Sequence, residues 1–193
     1  MSYEVAIKIL RSTRRKWLAG MACLWLAGSL ATGEDRGGAV SEYQLKAAFL
    51  YNFLQFTDWP TNAFASPKAP IVIGVVGEDP FGKTLDDIVK GEVVAGRPLV
   101  VQRFRADEDL GSCHILFISR SEKEQLQALL IPLKGKPVLT MSDIKDFAQK
   151  GGIVSLVMAN KAVKLEINQG VAEESGLAIR GKLLKLARIA TTK

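Results

Sequence analysis

The sequence predicts an α/β fold: a mostly parallel sheet with helices on both faces, closed by a C-terminal antiparallel hairpin and a helix. Short β-branched runs alternate with stretches of helical periodicity, which is typical of parallel strands joined by crossover helices. The run from Ile71 to Val76 is apolar throughout, as in a strand covered on both faces. After Gly151 and Gly152, two further strands follow each other closely, which indicates the hairpin.

The chain begins with the pattern of an export signal. Five basic side chains precede an apolar run from Trp17 to Ala31, and the run ends in small residues. About 15 apolar residues are fewer than the roughly 20 that a membrane-spanning helix needs, so cleavage near Ala31 is favoured over a membrane anchor. We therefore predict a signal peptide over 1–31, a flexible N-terminus over 32–41 and a single domain over 42–193.

Removal of the signal peptide changes the meaning of the charge. The whole chain has a net charge of +6, but the remainder has 21 basic and 19 acidic side chains, a net charge of +2. This balance argues against a nucleic-acid partner, which needs a one-sided basic surface. Cys113 is the only cysteine after residue 31, so no internal disulfide can form.

The first element of the domain is a helix. Ser41 and Gln44 have the spacing of a capping box, and Trp59-Pro60 ends the helix, which we expect to run to about Asp58. Its apolar side chains cover too much of the circumference for a simple surface helix. We predict a helix in the core, with one apolar row as a partner surface as the alternative. The two rows are Tyr43, Ala47, Leu50 and Leu54, and Phe49, Phe53 and Phe56.

Strands and helices then alternate to the end of the sheet. Beyond Ile71–Val76, the predicted strands are 98–104, 113–118, 137–141, 153–158 and a last strand around Val163 to Ile167. The predicted helices between them are 81–90, 121–131 and 142–149. The last two strands form a hairpin that we place at a sheet edge. A final helix is expected to direct Leu183, Leu186, Ala187 and Ala190 inward.

One segment matches the phosphate-binding loop pattern G-x-x-x-x-G-K-[ST]. It runs from Gly77 to Thr84, after a predicted strand and before a predicted helix. Glu78 and Asp79 would repel phosphate groups, and Pro80 has no N–H to donate. A structural interpretation fits better, with Asp79 as helix cap, Pro80 at the first helical position and Lys83 on the surface. A nucleotide-binding enzyme is therefore only our third hypothesis.

No other constellation indicates catalysis, a metal or a cofactor. His114 is the single histidine of the chain and lies at the start of an apolar strand, where a structural role is favoured. Without a second histidine, neither a zinc site nor a hydrolytic triad can be assembled convincingly. We expect a non-enzymatic protein without a cofactor.

Several segments together resemble the YfiR family. The stretch from Lys46 to Pro60 reads KAAFLYNFLQFTDWP, and GEDPFG follows at residues 77–82. VAGRPL at 94–99, CHILFIS at 113–119, KLEIN at 164–168 and KLLKLA at 182–187 continue the resemblance over nearly the whole domain. Their order and spacing make the resemblance specific.

The resemblance implies a function. It implies a periplasmic protein that binds the sensor part of an inner-membrane diguanylate cyclase and lowers cyclic-di-GMP output and biofilm formation. It also implies a homodimer and sometimes an outer-membrane lipoprotein partner. Because many members of the family have no established target, an exported small-molecule-binding sensor is the second hypothesis, with a crevice at strand ends such as Gly77–Phe81 and Ser119.

The hairpin and the segment after it are the expected partner surface. An edge strand offers unpaired backbone groups for association, and KLEIN is among the most recognisable segments of the family. The alternative is that the apolar side chains close the core beneath the last helix. The candidate partner-binding residues are Val163, Leu165, Glu166, Ile167, Leu177, Ile179 and Arg180.

Overall fold

The computed structural model describes residues 41–159 and 162–192. The predicted signal peptide and nearly all of the flexible N-terminus lie outside the described residues. None of the helices within these two ranges has the length and apolar content needed to span a membrane.

Within the described residues, the main sheet has eight strands, and five of them form a parallel core. The strands are β2 (Ile71–Val76), β3 (Val93–Val94), β4 (Arg97–Phe104), β5 (Ile115–Ile118), β6 (Leu139–Ser142), β7 (Val154–Ala159), β8 (Ala162–Ile167) and β10 (Ala187–Ile189). Their order in the sheet is β10-β8-β7-β6-β5-β2-β4-β3, with β4-β2-β5-β6-β7 mutually parallel. This arrangement confirms the α/β prediction and is a doubly wound topology. A separate antiparallel ribbon pairs β1 (Thr57–Asp58) with β9 (Ala178–Ile179).

Helices cover both faces of the sheet. The helices are α1 (Glu42–Phe56), α2 (Lys83–Val89), α3 (Leu126–Leu130), α4 (Gln169–Glu174) and α5 (Gly181–Leu184). On one face α1 and α2 pack over β2, β5 and β6, whereas α3 packs on the opposite face. Nine consecutive residues of α1, Lys46 to Leu54, are buried. The predicted buried helix is therefore confirmed, and the predicted capping box between Ser41 and Gln44 is present.

Three details of the predicted secondary structure are wrong. The predicted helix over 142–149 is absent: Ser142 ends β6, and the residues after it form a bend and turns. Asp146 has a positive φ of 59°, and the apolar side chain of Phe147 reaches the core from a turn. The helix after the phosphate-loop pattern begins at Lys83 with Gly82 as its cap, so Pro80 is not at its first position. Asp79 instead accepts a hydrogen bond from the N–H of Phe81.

The third correction concerns the C-terminus. The final helix ends at Leu184, and residues 187–189 form β10, which pairs in parallel with β8. Backbone hydrogen bonds to β8 therefore replace the expected helical packing, and Leu186 is 44% exposed. The β7–β8 hairpin is present, but β8 is flanked by β7 and β10 over 165–167 and is not an edge strand there.

A candidate partner surface and a buried charge cluster

The two ends of α1 carry the two main polar arrangements of the molecule. The N-terminal end lies near the carboxyl ends of β5 and β6, where Asp143 follows β6. The C-terminal end leads into β1 and the ribbon, close to the start of β5, where the Trp59 indole N–H donates to the His114 carbonyl oxygen. The helix thus runs from the carboxyl ends of the parallel strands to their amino ends.

The buried cluster centres on Lys46. Its side chain is 0% exposed, and its Nζ lies 2.5 Å from Asp143 Oδ2 and also contacts Glu42. The same Oδ2 accepts a hydrogen bond from the Tyr43 hydroxyl at 3.1 Å and lies 3.2 Å from Arg120 Nε. Asp143 Oδ1 is buried and has no hydrogen-bond partner among the described residues.

The cluster is electrically balanced. Lys46 and Arg120 face Glu42 and Asp143, so two positive charges meet two negative charges. Burial raises the pKa of the Tyr43 hydroxyl, and the nearby charge of Asp143 raises it further. Such a cluster ties helix to sheet, because removing one charge would leave its buried partner unpaired. It does not offer the excess charge that would attract an ionic ligand.

The expected ligand crevice is filled. In a doubly wound sheet the crevice opens where the strand order reverses, here between the carboxyl ends of β2 and β5. Ser121 and Glu122 occupy that position: the N–H of Glu78 donates to Ser121 Oγ at 3.0 Å. A Cβ atom placed on Gly77 would lie only 2.5 Å from Glu122 Oε1. Side chains of the protein itself therefore take the place of a ligand.

The same contacts bear on the phosphate-loop pattern. Its backbone N–H groups at Glu78 and Phe81 already donate to Ser121 and Asp79. Lys83 is exposed on the surface, and Glu122 adds a further carboxylate beside Gly77. A phosphate group approaching this loop would meet negative charge and occupied donors, which is unfavourable for binding.

The ribbon forms the candidate partner surface. Arg180 donates to both carboxylate oxygens of Asp58, at 3.0 and 2.6 Å, and its backbone N–H donates to the carbonyl of Phe56. Because of this charge-assisted contact, the pKa of Asp58 is lowered. Lys182 lies over the Phe56 ring at 5.1 Å. The side chains of Arg180 and Asp58 are both more than half exposed, so this ion pair lies on the surface.

The predicted partner residues divide into two groups. Val163, Leu165, Ile167 and Leu177 are buried, in agreement with the alternative that they close the core. Ile179 is half-buried and Arg180 is exposed, and both lie on the ribbon. Glu166 lies elsewhere, half-buried, where it accepts a hydrogen bond from Gln149 and pairs with Arg188.

Sequence reasoning missed several of these residues. The sequence indicates only the end of a helix at Asp58 and Trp59, and the pairing of Thr57 and Asp58 with residues 178–180 has no local signal. Lys46 did leave a signal, because it lies three residues after Tyr43 and four before Leu50 on an apolar helix face. A lysine in such a row indicates a buried ionic partner.

His114 has a structural environment. Its Nδ1 accepts from the N–H of Val72 at 3.1 Å, and its Nε2 donates to the carbonyl of Ala63 at 3.1 Å. The ring stacks on Phe64 with a centroid distance of 4.5 Å. Burial lowers the pKa of His114. Both ring nitrogens are engaged, and within the described residues no group of His, Cys, Asp or Glu is placed to hold a metal ion.

The match to a family model decides the classification. The model of the YfiR/HmsC-like family matches residues 43–188. The chain belongs to this family. The match spans both arrangements described above, from Tyr43 and Lys46 in the buried cluster to Ile179 and Arg180 on the ribbon. It agrees with the resemblance found in the sequence.

Proposed function

We propose that the protein is exported to the periplasm, where it binds the sensor part of an inner-membrane diguanylate cyclase and lowers cyclic-di-GMP output. Membership of the YfiR/HmsC-like family supports this role. The proposal includes cleavage near Ala31, a homodimer, and an outer-membrane lipoprotein that competes with the cyclase for the protein. Intact-mass measurement of the exported protein tests the cleavage, with a start near Thr32 or Glu34 as the expected result.

The ribbon is the observation that carries the proposal. It joins two parts of the chain that are about 120 residues apart and presents an arginine beside half-buried aromatic and aliphatic side chains. Interface hot spots are enriched in arginine and aromatic residues. The side chains that lie there are Phe56, Asp58, Ile179, Arg180 and Lys182, and Trp59 follows β1 directly.

A reporter assay tests the ribbon. In cells that lack the native gene and report cyclic-di-GMP, we expect Arg180→Glu to lose repression, because the new carboxylate repels Asp58 and removes the exposed cation. Arg105→Glu is the matched control, since Arg105 also forms an exposed pair, with Asp107 at 2.8 Å, at the far end of β4. We expect the control to repress like the parent.

The exchanged pair separates two roles of Arg180. Asp58→Arg combined with Arg180→Glu restores opposite charges within the ribbon. It exchanges the positions of the positive and the negative charge that a partner would contact. If this double variant folds and still fails to repress, Arg180 contacts the partner directly. Full repression by Arg180→Glu itself would show that the partner surface lies elsewhere.

An exported small-molecule sensor is the second candidate function. The crevice expected for it is filled, but a groove of about 960 Å³ lies between α3 and the C-terminal residues. Lys134, Lys150, Asn168 and Thr192 are among its lining residues. Calorimetric titration with nucleotides and amino acids, on the parent and on Lys150→Glu, distinguishes this candidate from a pure protein-binding role.

A further inference from the structure

The edge strand β10 has backbone groups that form no hydrogen bond with the residues that the structure describes. In its parallel pairing with β8, the N–H of Ala190 donates to the carbonyl of Ile167. Because successive residues of a strand direct their backbone groups to opposite sides, Arg188 also points toward β8. Ala187 and Ile189 therefore direct their N–H and carbonyl groups away from the sheet.

The opposite edge of the sheet is shared by two strands. The two-residue β3 covers β4 only beside Arg97 and Pro98, and over the rest of its length β4 has no further strand on that side among the described residues. Along β10, Leu186 and Ile189 are 44% and 51% exposed, and proline is absent from residues 181–192. The apolar side chains of this edge are therefore accessible to an added strand.

The surroundings of β10 are basic. Lys164, Lys182 and Lys185 are exposed and form no salt bridge with any residue that the structure describes. Arg188 lies on the strand itself and has Glu166 as a partner at 3.5 Å. The edge therefore carries an excess of positive charge, although the chain from residue 32 onward has a net charge of only +2.

A small cavity adjoins the start of the strand. It has a volume of about 150 Å³ and lies among Phe49, Val163, Leu165 and Leu186, with Lys164 and Arg188 also lining it. Its size suits one aliphatic side chain. In strand addition, backbone hydrogen bonds give affinity and pockets for alternate side chains give specificity.

We propose that β10 accepts an extended acidic segment of a protein partner as a ninth strand of the sheet. The outward backbone groups of Ala187 and Ile189 pair with the segment, the lysines attract its carboxylates, and the small cavity holds one of its apolar side chains. This inference rests on the proposed function, because it names a second contact for the same kind of partner. It differs from the ribbon contact in using the backbone of β10, although Lys182 belongs to both surfaces.

The alternative role of the lysines is protective, since charged side chains on an edge also discourage strand pairing. A defined probe separates the two roles: a fluorescein-labelled hexapeptide of alternating glutamate and valine, compared with its lysine–valine counterpart. By fluorescence anisotropy on the purified exported protein, we expect the glutamate peptide to bind at least ten times more tightly. Its affinity should fall as salt rises.

Variants at one position test the backbone contact. Ile189→Pro removes an outward N–H and should weaken the glutamate peptide at least tenfold, whereas Ile189→Ala keeps that N–H and should retain most of the affinity. A glutamate peptide methylated at alternate backbone nitrogens makes the same test on unaltered protein, in case Ile189→Pro does not fold. Lys185→Glu should weaken the glutamate peptide and flatten its salt dependence.

Three results would overturn the inference: equal binding of the two peptides, unchanged binding of the methylated peptide, or unchanged binding to folded Ile189→Pro. The reporter assay keeps these outcomes separate from the proposed function. Loss of repression in Arg180→Glu without peptide binding at β10 would leave the cyclase proposal standing and remove only the strand-addition contact. If the parent protein bound the glutamate peptide but did not repress in the reporter assay, the cyclase proposal would fall and strand addition at β10 would stand.

Discussion

The two ends of α1 each use an ionic contact, but burial gives the contacts opposite roles. At the N-terminal end, Lys46 and Asp143 have side chains that are 0% and 1% exposed, and they meet inside the molecule. At the C-terminal end, Arg180 and Asp58 are 56% and 54% exposed. A charge in the interior depends on its partner, whereas a charge in water is already solvated.

We therefore expect the buried contact to stabilise the fold and the exposed pair to take part in recognition. The buried cluster has no side chain free to meet a partner protein except those at its rim, and its charges cancel. The exposed pair contributes little to the stability of the fold and is accessible, so its residues can contact a partner protein. Variants at the two ends should therefore affect different measurements.

The largest expected effect comes from Lys46→Met. The substitution keeps an unbranched side chain but removes the charge, which leaves buried Asp143 with Tyr43 and Arg120 as its donors among the described residues. We expect a loss of about 3–5 kcal/mol in the free energy of unfolding, as for other broken buried pairs. Urea denaturation followed by circular dichroism measures it.

The double variant Lys46→Met/Asp143→Leu sharpens this first test. With both charges gone, no unpaired charge remains, and much of the lost stability should return. A single variant as stable as the parent would show that the cluster is not the anchor of α1.

A smaller effect is expected at the rim of the same cluster. Arg120 is 56% exposed and contacts Asp143 and Glu42 from the solvent side. Arg120→Ala should therefore cost about 1 kcal/mol or less, the range of exposed ion pairs. A loss as large as that of Lys46→Met, measured in the same urea titrations, would mean that burial does not separate the two positions.

The fold could be predicted in large part from the sequence because its signals are local. The uninterrupted apolar run at Ile71–Val76 and the capping box at Ser41 each depend on neighbouring residues alone. β10 could not be predicted in this way. Residues 182–190 have helical spacing of their apolar side chains, and only the free edge of β8 makes a strand more favourable.

The candidate site was predictable only in part for the same reason. Ile179 and Arg180 were identified from their place after the hairpin, but Asp58 becomes their neighbour through a contact 122 residues apart. The alternation in β8 identified Val163, Leu165 and Ile167 as one face without showing that α1 covers that face. Patterns of burial are readable from one sequence, whereas the identity of the covering element is not.

The third prediction concerns His114, which supports the ribbon end through Trp59 and Phe64. In the folded protein, burial lowers the pKa of His114 below its ordinary value of 6.5. The unfolded chain therefore binds a proton at higher pH than the folded chain does. Its contribution to stability is therefore complete above about pH 6.5 and is lost as the pH falls from there toward the folded pKa.

His114→Gln is the control for that titration. A glutamine can still offer one donor and one acceptor but does not titrate, so the difference in unfolding free energy between parent and variant should shrink as pH falls from 7.5 to 5.5. Thermal denaturation across this range measures the difference. A constant difference would show that His114 protonation is not linked to folding.

The smallest expected effect on stability belongs to the ribbon pair, and it completes the comparison between the two ends of α1. Arg180→Ala removes an exposed side chain whose partner Asp58 stays solvated, so the urea midpoint should remain close to that of the parent. High salt should reduce even this small change, because exposed charges are screened. Yet the same variant should weaken repression in the cyclic-di-GMP reporter, whereas Arg120→Ala, similarly exposed but at the other end of α1, should not. If Arg120→Ala weakened repression and Arg180→Ala did not, the partner would bind the carboxyl edge of the sheet, and the roles assigned to the two ends of α1 would be reversed.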